Sequence, residues 1–318
     1  MHSTLSLQET TKCLLEAQKI VITAHVNPDG DAIGSSLGLM HILREKGKDV
    51  QVLLDDDIPA IFSILPGYEL IGKPGEGKVT ADLLVVLDTS LDRIGAVAEY
   101  VEAAAMLNID HHITNDQQIP ALYLDAARAA TAEIIFQLAK EMDSKFTPEM
   151  ALDIYTGMAT DSGFFRYSNT TPFTMRAAAE LLEAGVKPNI VSEALEQKPY
   201  ALVKGMAEAL QTIEVLHDGK IAGLFLDQTL TETLESTEGF IDMVRVIEGV
   251  DVAVLLKCKE EKLCRVSMRS KATDVSRIAA QFGGGGHIRA AGCTLEMAFP
   301  EAKRTILTAI CAAMEEQA

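Results

Sequence analysis

Residues 103–112 are Ala-Ala-Ala-Met-Leu-Asn-Ile-Asp-His-His, an apolar run that ends in a carboxylate and two imidazoles. The run predicts a buried strand near Met106–Ile109, because a short continuous apolar stretch is typical of a strand covered on both faces. Asp110, His111 and His112 would be costly inside such a strand unless they bind a partner. We therefore expect the strand to stop at this triplet, and the triplet to contact a metal ion or a phosphate.

Three earlier apolar runs indicate further strands of the same sheet. They are Ile20–Thr23, Val50–Leu54 and Leu83–Leu87, and helical periodicity separates them, most clearly over Ala32–Lys46. Strands that are apolar on nearly every residue and alternate with helices are typical of a parallel sheet with helices on both faces. Ligands of such sheets bind beyond the carboxyl ends of the strands, where the polar side chains of this sequence are also gathered.

The sequence pattern changes after a helical connector at residues 189–212. His217-Asp218-Gly219-Lys220 separates two apolar runs, and Asp-Gly is a strong signal for a hairpin turn. A second strand pair follows over Val250–Cys258 and Leu263–Met268, and helical segments follow that pair. The sequence therefore predicts an α/β protein with a larger domain at 1–188 and a smaller α/β domain with a mixed sheet at 213–318.

Composition and charge exclude several classes of protein. The chain of 318 residues has a formal net charge of -18, which disfavours binding to a long nucleic acid duplex but allows a short nucleotide anion. No apolar run approaches the roughly 18 residues that span a bilayer, and the first residues lack the features of a signal peptide. We expect a cytoplasmic protein without a membrane partner, whose five scattered cysteines are reduced.

Four separated places present Asp or His where apolar segments end. They are His25-x-x-x-Asp29-x-Asp31, Asp88, Asp110-His111-His112 and Asp161. Each alone has an ordinary explanation, such as a helix cap or an Asx turn. Together they offer carboxylates with a minority of imidazoles and no thiolate, a set that suits Mn²⁺, Mg²⁺, Co²⁺ or Fe²⁺. Two such ions that share a carboxylate can activate water, which indicates hydrolysis of a phosphate ester or anhydride.

At these positions the sequence resembles the DHH phosphoesterase superfamily. The segment His25–Ser35, Asp88, Asp110-His111-His112 and Asp161 look like its four motifs, and Gly283–Gly292 resembles the associated DHHA1 domain. The resemblance covers nearly the whole chain, and the length suits the stand-alone branch of bifunctional oligoribonucleases (nanoRNases) and pAp phosphatases. It implies that the first domain is a DHH catalytic domain and that the second is a DHHA1 domain that binds substrate.

The resemblance implies a role for each motif position. The implied metal ligands are His25 and Asp29 for one ion, Asp31, His111 and Asp161 for the other, and Asp88 as a bridge between them. His112 would face the substrate phosphate, and Asp110 would orient the histidine pair. Asp88, His112 and Asp110 are thus the expected catalytic residues. The expected cofactor is a pair of divalent ions, with Mn²⁺ preferred over Mg²⁺, Co²⁺ or Fe²⁺.

Candidate substrate-binding residues lie mostly in a basic part of this acidic chain, since Lys257–Arg289 contains eight Lys or Arg and three Asp or Glu. The candidates are Gly284, Gly285, Gly286, His287, Arg269 and Arg166. The glycines leave backbone N–H groups accessible to an anion, although a glycine run is more often a flexible turn. Arg269 and His287 match family positions that hold the nucleotide or its second phosphate. Arg166 is either a phosphate contact or an ordinary surface arginine.

The predicted function is metal-dependent hydrolysis of short single-stranded RNA or DNA oligonucleotides, of two to five residues, to mononucleotides by a two-metal-activated water. Hydrolysis of pAp to AMP is expected as well, and association into a homodimer is left open. The nearest alternative is a cyclic-dinucleotide phosphodiesterase that acts on pApA or cyclic di-AMP. An inorganic pyrophosphatase is disfavoured because that branch carries a different C-terminal domain, and a non-catalytic nucleotide sensor because every motif ligand is present.

Overall fold

The computed structural model describes residues 4–115, 117–234 and 236–316. The chain divides into two compact units between Gln197 and Lys198. The expected connector, 189–212, contributes one helix to each unit, and the limits of the two domains stay a prediction. No helix in the described ranges combines the length and the apolar character that a membrane span requires.

The first unit is built on a parallel sheet, as predicted. Its strands are β1 (Lys19–Thr23), β2 (Asp49–Leu53), β3 (Ile71–Gly72), β4 (Val79–Leu87), β5 (Val101–Asp110) and β6 (Leu122–Leu124). Their order in space is β3-β2-β1-β4-β5-β6, and each neighbouring pair is parallel. Strands β3 and β6 were not predicted from the sequence, because two or three residues are too few to form a recognisable apolar run.

Helices cover both faces of this sheet, as predicted, but unequally. They are α1 (Leu7–Glu16), α2 (Gly30–Glu45), α3 (Val97–Tyr100), α4 (Thr131–Glu141), α5 (Pro148–Asp161), α6 (Pro172–Glu183) and α7 (Pro188–Glu196). One face packs against α2, α4 and α5 in the larger apolar cluster. The short α3 and the turn before it cover the other face through Ile94 and Val97. Because both faces are covered, β4 is buried at every residue from Leu83 to Leu87.

Glycines allow α2, α4 and α5 to approach one another closely. A Cβ atom at Gly34 of α2 would collide with the backbone carbonyl oxygen of Asp153 in α5, and would lie 2.9 Å from the nitrogen of Gly157. A Cβ at Gly157 would lie 2.7 Å from the Cβ of Ala132 in α4 and 2.9 Å from Oδ1 of Asp31. Separations under 3.0 Å are too short for carbon, so the absence of these side chains sets the spacing of the three helices.

The second unit contains a mixed sheet, as predicted. Its strands are β7 (Glu214–Leu216), β8 (Ile221–Leu226), β9 (Val252–Glu260), β10 (Leu263–Ser270), β11 (Gly285–His287) and β12 (Ala290–Leu295). The order is β11-β12-β10-β9-β8-β7, in which β8 and β9 are parallel and the other neighbours antiparallel. The expected hairpin at Asp218-Gly219 joins β7 to β8.

Helices also lie on both faces of the second sheet. They are α8 (Tyr200–Leu210), α9 (Gln228–Glu232), α10 (Phe240–Arg245), α11 (Val275–Ala280) and α12 (Phe299–Glu315). Residues of α11 and α12 share one apolar cluster with β9, β10 and β12. A second cluster on the opposite face joins α8 and α10 to β8 and β9. Alternate residues of β8 and β9 therefore point into different cores.

The expectation that every cysteine is reduced is wrong for one pair. Cys258 of β9 and Cys264 of β10 are bonded as a disulfide. They occupy directly paired positions of the antiparallel strands, which brings their Cα atoms to 4.0 Å. Proximity of this kind depends on strand register, which cysteine spacing in the sequence does not reveal. Cys13, Cys293 and Cys311 are not in disulfides.

Candidate metal centre

The predicted metal ligands of the first unit meet at the carboxyl edge of its sheet. His25, Asp29 and Asp31 follow β1, Asp88 follows β4, and the Asp110 triplet ends β5. From β1 the chain continues to β2 on one side, and from β4 it continues to β5 on the other. Such a reversal of strand order opens a crevice where parallel sheets bind ligands. Asp161 reaches the same place as the last residue of α5.

Asp88 lies between two groups of candidate ligands. Its side chain is 2% exposed, with Oδ2 at 3.6 Å from Nε2 of His25 and Oδ1 at 3.4 Å from Nε2 of His111. The hydroxyl of Thr131 donates to Oδ1 at 3.0 Å. The backbone of Asp88 adopts φ +59°, a left-handed conformation that is unusual outside glycine and that turns the chain directly after the strand. The carboxylate of Asp88 therefore presents one oxygen to His25 and the other to His111.

The first group consists of His25, Asp29 and Asp88, whose ligand atoms lie within 4.8 Å of one another. Nε2 of His25 is 3.7 Å from Oδ2 of Asp29. Asp29 is the N-cap of α2, and its Oδ1 accepts hydrogen bonds from the N–H groups of Asp31 and Ala32 at 3.0 and 3.1 Å. The cap fixes the carboxylate so that its second oxygen faces the imidazole.

The second group consists of Asp31, His111 and Asp161, with ligand atoms within the same 4.8 Å. Nε2 of His111 is 3.3 Å from Oδ2 of Asp161 and 4.0 Å from Oδ2 of Asp31. Asp31 is wholly buried, and the N–H groups of Thr131 and Ala132 donate to its two oxygens at 2.6 and 2.9 Å. These N–H groups open α4, where the helix dipole stabilises a carboxylate.

The imidazoles of His25 and His111 both present Nε2 to the surrounding carboxylates. Nδ1 of His25 lies 2.9 Å from the carbonyl oxygen of Val26, and Nδ1 of His111 lies 3.2 Å from that of Arg128. The tautomer that donates from Nδ1 leaves the lone pair of Nε2 directed at the carboxylates, an arrangement typical of metal-bound histidine. Nε2 of His111 is buried without a hydrogen-bond partner among the described residues. The donor set fits a divalent cation that prefers oxygen with some imidazole.

The pKa values of the clustered side chains show a local excess of negative charge. Burial lowers the pKa of His25 and His111, but the surrounding carboxylates outweigh it and raise both to about 10. Burial, followed by the charge of Asp88, raises the pKa of Asp161 to about 7 and raises that of Asp31 as well. Protons are therefore retained on imidazoles and carboxyls where a cation would otherwise compensate the crowded negative charge.

Asp110 acts on the histidine pair through hydrogen bonds. Its Oδ1 accepts from the N–H groups of His111 and His112 at 2.7 and 3.0 Å, and Nδ1 of His112 lies 2.9 Å from the same oxygen. Its Oδ2 accepts from the side-chain amide of Asn115 at 2.6 Å. Nδ1 of His112 is also 3.5 Å from Oδ1 of Asp88. Asp110 thus fixes the orientation of the imidazole of His112, in the position expected for an orienting residue.

Two buried asparagines, Asn108 and Asn115, support this arrangement and were not predicted from the sequence. Asn108 donates from its amide to the carbonyl oxygens of Val86 and Thr89, at 2.9 and 2.8 Å, and so fastens the end of β5 to the end of β4. Asn115 donates to Oδ1 of Asn108 at 2.8 Å and links the pair to the rest of the centre. A signal was present, because Asn108 is a polar residue within the otherwise apolar run Ala103–Ile109.

In the second unit, the structure aligns Arg269 with His287. Arg269 of β10 pairs with Ala290 of β12, which pairs with His287 of β11. Directly paired residues point to the same face of a sheet, so Arg269 and His287 flank Ala290 in one row. Of the four consecutive glycines, Gly285 and Gly286 belong to the exposed edge strand β11, and Gly283 lies in the turn before it. In the first unit, the Nε of Arg166 donates to the carbonyl oxygen of Gly163, within its own turn after α5.

Comparison with known proteins identifies the family. Residues 19–158 match the N-terminal domain of the DHH family, and residues 225–316 match the DHHA1 domain. The bifunctional oligoribonuclease and PAP phosphatase NrnA of Thermus thermophilus is 38% identical over 281 residues, which are 87% of this chain and 84% of that protein. The chain belongs to the DHH family.

A solved structure and a more distant relative complete the comparison of this DHH protein. An exopolyphosphatase-related protein from Bacteroides fragilis is 28% identical, with a TM-score of 0.85 over 98% of this chain and 95% of that one. The cyclic-di-AMP phosphodiesterase PdeA of Listeria monocytogenes is 24% identical over 95% of this chain but only 49% of that protein. The DHH and DHHA1 resemblance predicted from the motifs is confirmed.

Proposed function

We propose that this DHH protein is a metal-dependent phosphoesterase that hydrolyses oligonucleotides of two to five residues to mononucleotides and pAp to AMP. The relative from Thermus thermophilus is named for both activities and matches the chain across both units. The observation that carries the proposal is the position of Asp88, whose two oxygens face His25 and His111 separately. A carboxylate shared between two ligand groups is the arrangement that two-metal phosphoesterases require.

The ligand roles follow from the two groups. His25 and Asp29 would hold one divalent ion, Asp31, His111 and Asp161 the other, and Asp88 both. When bound, the ions would supply an activated water and neutralise charge on the phosphate. Mn²⁺ is our first choice, with Mg²⁺, Co²⁺ and Fe²⁺ as alternatives, because the donor set combines carboxylates with imidazole.

The other catalytic roles belong to Asp110 and His112. Asp110 receives three hydrogen bonds from the triplet, which fix the imidazole of His112 at the edge of the centre. We assign to His112 a contact with the substrate phosphate, since an oriented imidazole can donate a hydrogen bond to a phosphate oxygen. Asp110 is a positioning residue, because it acts on the substrate through His112.

Substrate binding is assigned to a separate set of side chains and backbone groups. The set is Arg269, His287, Gly284, Gly285, Gly286 and Arg166. The alignment of Arg269 and His287 across Ala290 supports a shared role in binding one phosphate. A guanidinium can bind phosphate through two parallel hydrogen bonds, which gives both affinity and orientation.

Activity with defined substrates tests the proposal. Purified protein with Mn²⁺ is incubated with pAp, a five-residue RNA, pApA, cyclic di-AMP and pyrophosphate, and the products are quantified. We expect turnover of pAp and of the RNA. No turnover of any substrate by metal-loaded protein would refute the enzyme assignment, and turnover of pyrophosphate alone would refute the nucleotide assignment. Arg269→Ala should raise the KM for RNA and leave the metal content unchanged.

The cyclic-dinucleotide phosphodiesterase is the second candidate. Its support is the similarity to PdeA, which extends over nearly the whole of this chain. The lower identity and the additional half of PdeA that this chain does not match make it the weaker choice. Preferential turnover of cyclic di-AMP or pApA in the same assay would favour it.

A further inference from the structure

A polar cavity of about 420 Å³ lies beside the end of β9 in the second unit. Its lining includes the side chains of Lys257 and Lys259 and the hydroxyl-bearing residues Thr231, Ser236 and Thr237. Lys257 is half-buried, and its Nζ donates to the hydroxyl of Thr237 at 2.6 Å. Ammonium and hydroxyl groups that converge on one cavity are donors for an anion with several oxygen atoms.

Lys257, Lys259 and the neighbouring Arg265 form no ion pair among the described residues. Arg265 of β10 lies directly opposite Lys257 of β9. Burial, together with the charges of Lys259 and Arg265, lowers the pKa of Lys257. Glu232 also lines the cavity, and its carboxylate accepts a hydrogen bond from Gln228 at 2.7 Å, so one negative charge stands against three positive charges. An anion would relieve the repulsion between the three cations.

Strand register places this cluster on the face that carries Arg269. Arg265 and Arg269 are four residues apart on β10, so their side chains point to the same face. Lys257 shares that face because it pairs directly with Arg265. A strand rises by about 3.3 Å per residue, which separates Arg265 from Arg269 by roughly 13 Å. Arg265 and Arg269, separated along the same face of β10, could therefore bind two phosphates of one extended ligand.

We propose that Lys257, Lys259 and Arg265 form a phosphate site that takes a distal phosphodiester group of a bound oligonucleotide. The inference rests on the proposed function, in which Arg269 and His287 bind another phosphate of the same molecule. A nucleoside bisphosphate such as pAp is too short to occupy both places, whereas a chain of several nucleotides can. The cluster therefore favours the longer members of the substrate range over pAp.

The test uses the double variant Lys259→Gln/Arg265→Gln of the full chain. Lys257 is retained because its half-buried side chain also contributes to packing. The Kd and the KM for a five-residue RNA should each rise about tenfold, because two charge-assisted contacts are lost from an exposed site. The slope of log Kd against log salt concentration should fall by about one. Kinetic constants for pAp should not change. Lys262→Gln, in the turn between β9 and β10, is the matched control and should behave as wild type.

Binding of labelled RNA is measured by fluorescence anisotropy in EDTA, so that failure of this site and failure of the proposed function are distinguishable. Wild-type protein that binds the RNA through the cluster but turns over no substrate would support the site and refute the enzyme. An unchanged Kd in the double variant, or an equal loss with pAp, would overturn the site. Titration with inorganic phosphate tests the other source of the anion. Phosphate binding that the double variant loses, with an unchanged Kd for RNA, would overturn the oligonucleotide assignment.

Discussion

Asp88→Asn should weaken the binding of both proposed metal ions while the fold is retained. The amide has nearly the shape of the carboxylate, and its oxygen can still accept the hydrogen bond from Thr131. It lacks the negative charge that faces His25 at 3.6 Å and His111 at 3.4 Å. The substitution therefore alters the two ligand groups at once.

The expected loss of metal affinity in Asp88→Asn follows from the position of Asp88 between the two ligand groups. Loss of a partner that only supports a metal ligand typically lowers affinity by about 10–100-fold. Applied to each of two ions, the same factor gives a combined loss of roughly 10²–10⁴, or about 3–5.5 kcal/mol. Hydrolysis of pAp should fall at least in proportion, because both ions are needed for the reaction. Asp161→Asn is the matched control, since its carboxylate faces His111 but belongs to one group.

Titration of metal-free protein with Mn²⁺ measures the number of ions bound and their affinities. We expect Asp161→Asn to weaken one ion and Asp88→Asn to weaken two. Thermal unfolding in EDTA checks that each variant is folded, and NMR titration should show that Asp88→Asn lowers the pKa of both imidazoles from about 10. Two ions bound by Asp88→Asn within tenfold of the wild-type affinity would refute the bridging role.

Three further predictions follow from other contacts. Asn115→Ala should lower the turnover of pAp about 10–100-fold with the metal content unchanged, because it removes a hydrogen bond to Asp110. Turnover and metal stoichiometry are measured on the same preparation. The apparent affinity for Mn²⁺ should increase between pH 6 and 9, by up to about tenfold per pH unit for each imidazole. The reason is that ions must displace protons from His25 and His111, whose pKa is raised to about 10. An affinity independent of pH would contradict this prediction. Gly34→Ala should lower the free energy of unfolding in urea by about 1–3 kcal/mol through overpacking against α5, whereas Gly75→Ala, in a loop with only an ordinary contact at 3.5 Å, should change it little.

The sequence predicted the parallel sheet and the six candidate metal ligands because both depend on short-range signals. Apolar runs marked β1, β2, β4 and β5, and an Asp or His at the end of a parallel strand must lie at the common edge. Asp161 could be added through the motif resemblance, since the periodicity of α5 alone does not show which edge it reaches. The structure confirms the fold and brings these side chains together, and their roles as ligands stay a proposal.

Supporting residues were harder to predict because their function depends on tertiary distances. Thr131 reaches Asp88 across 43 positions of sequence, and its backbone reaches Asp31 across 100. Asn115 follows the triplet in a segment without apolar periodicity, so nothing local indicates its burial. The disulfide of Cys258 with Cys264 was missed for a related reason, since it depends on strand register.

The close contact of α2, α4 and α5 has a consequence for how substitutions should be tolerated. Gly157 is neither a proposed metal ligand nor a proposed substrate contact. A methyl group at Gly157 would nevertheless collide with the carboxylate of Asp31. In a survey of all single substitutions, Gly34 and Gly157 should therefore be as intolerant as the residues that bind metal. The space beside Asp31, a proposed ligand of the second ion, depends on the helix spacing that Gly34 and Gly157 allow. Room for a larger cation there would require whole helices to move.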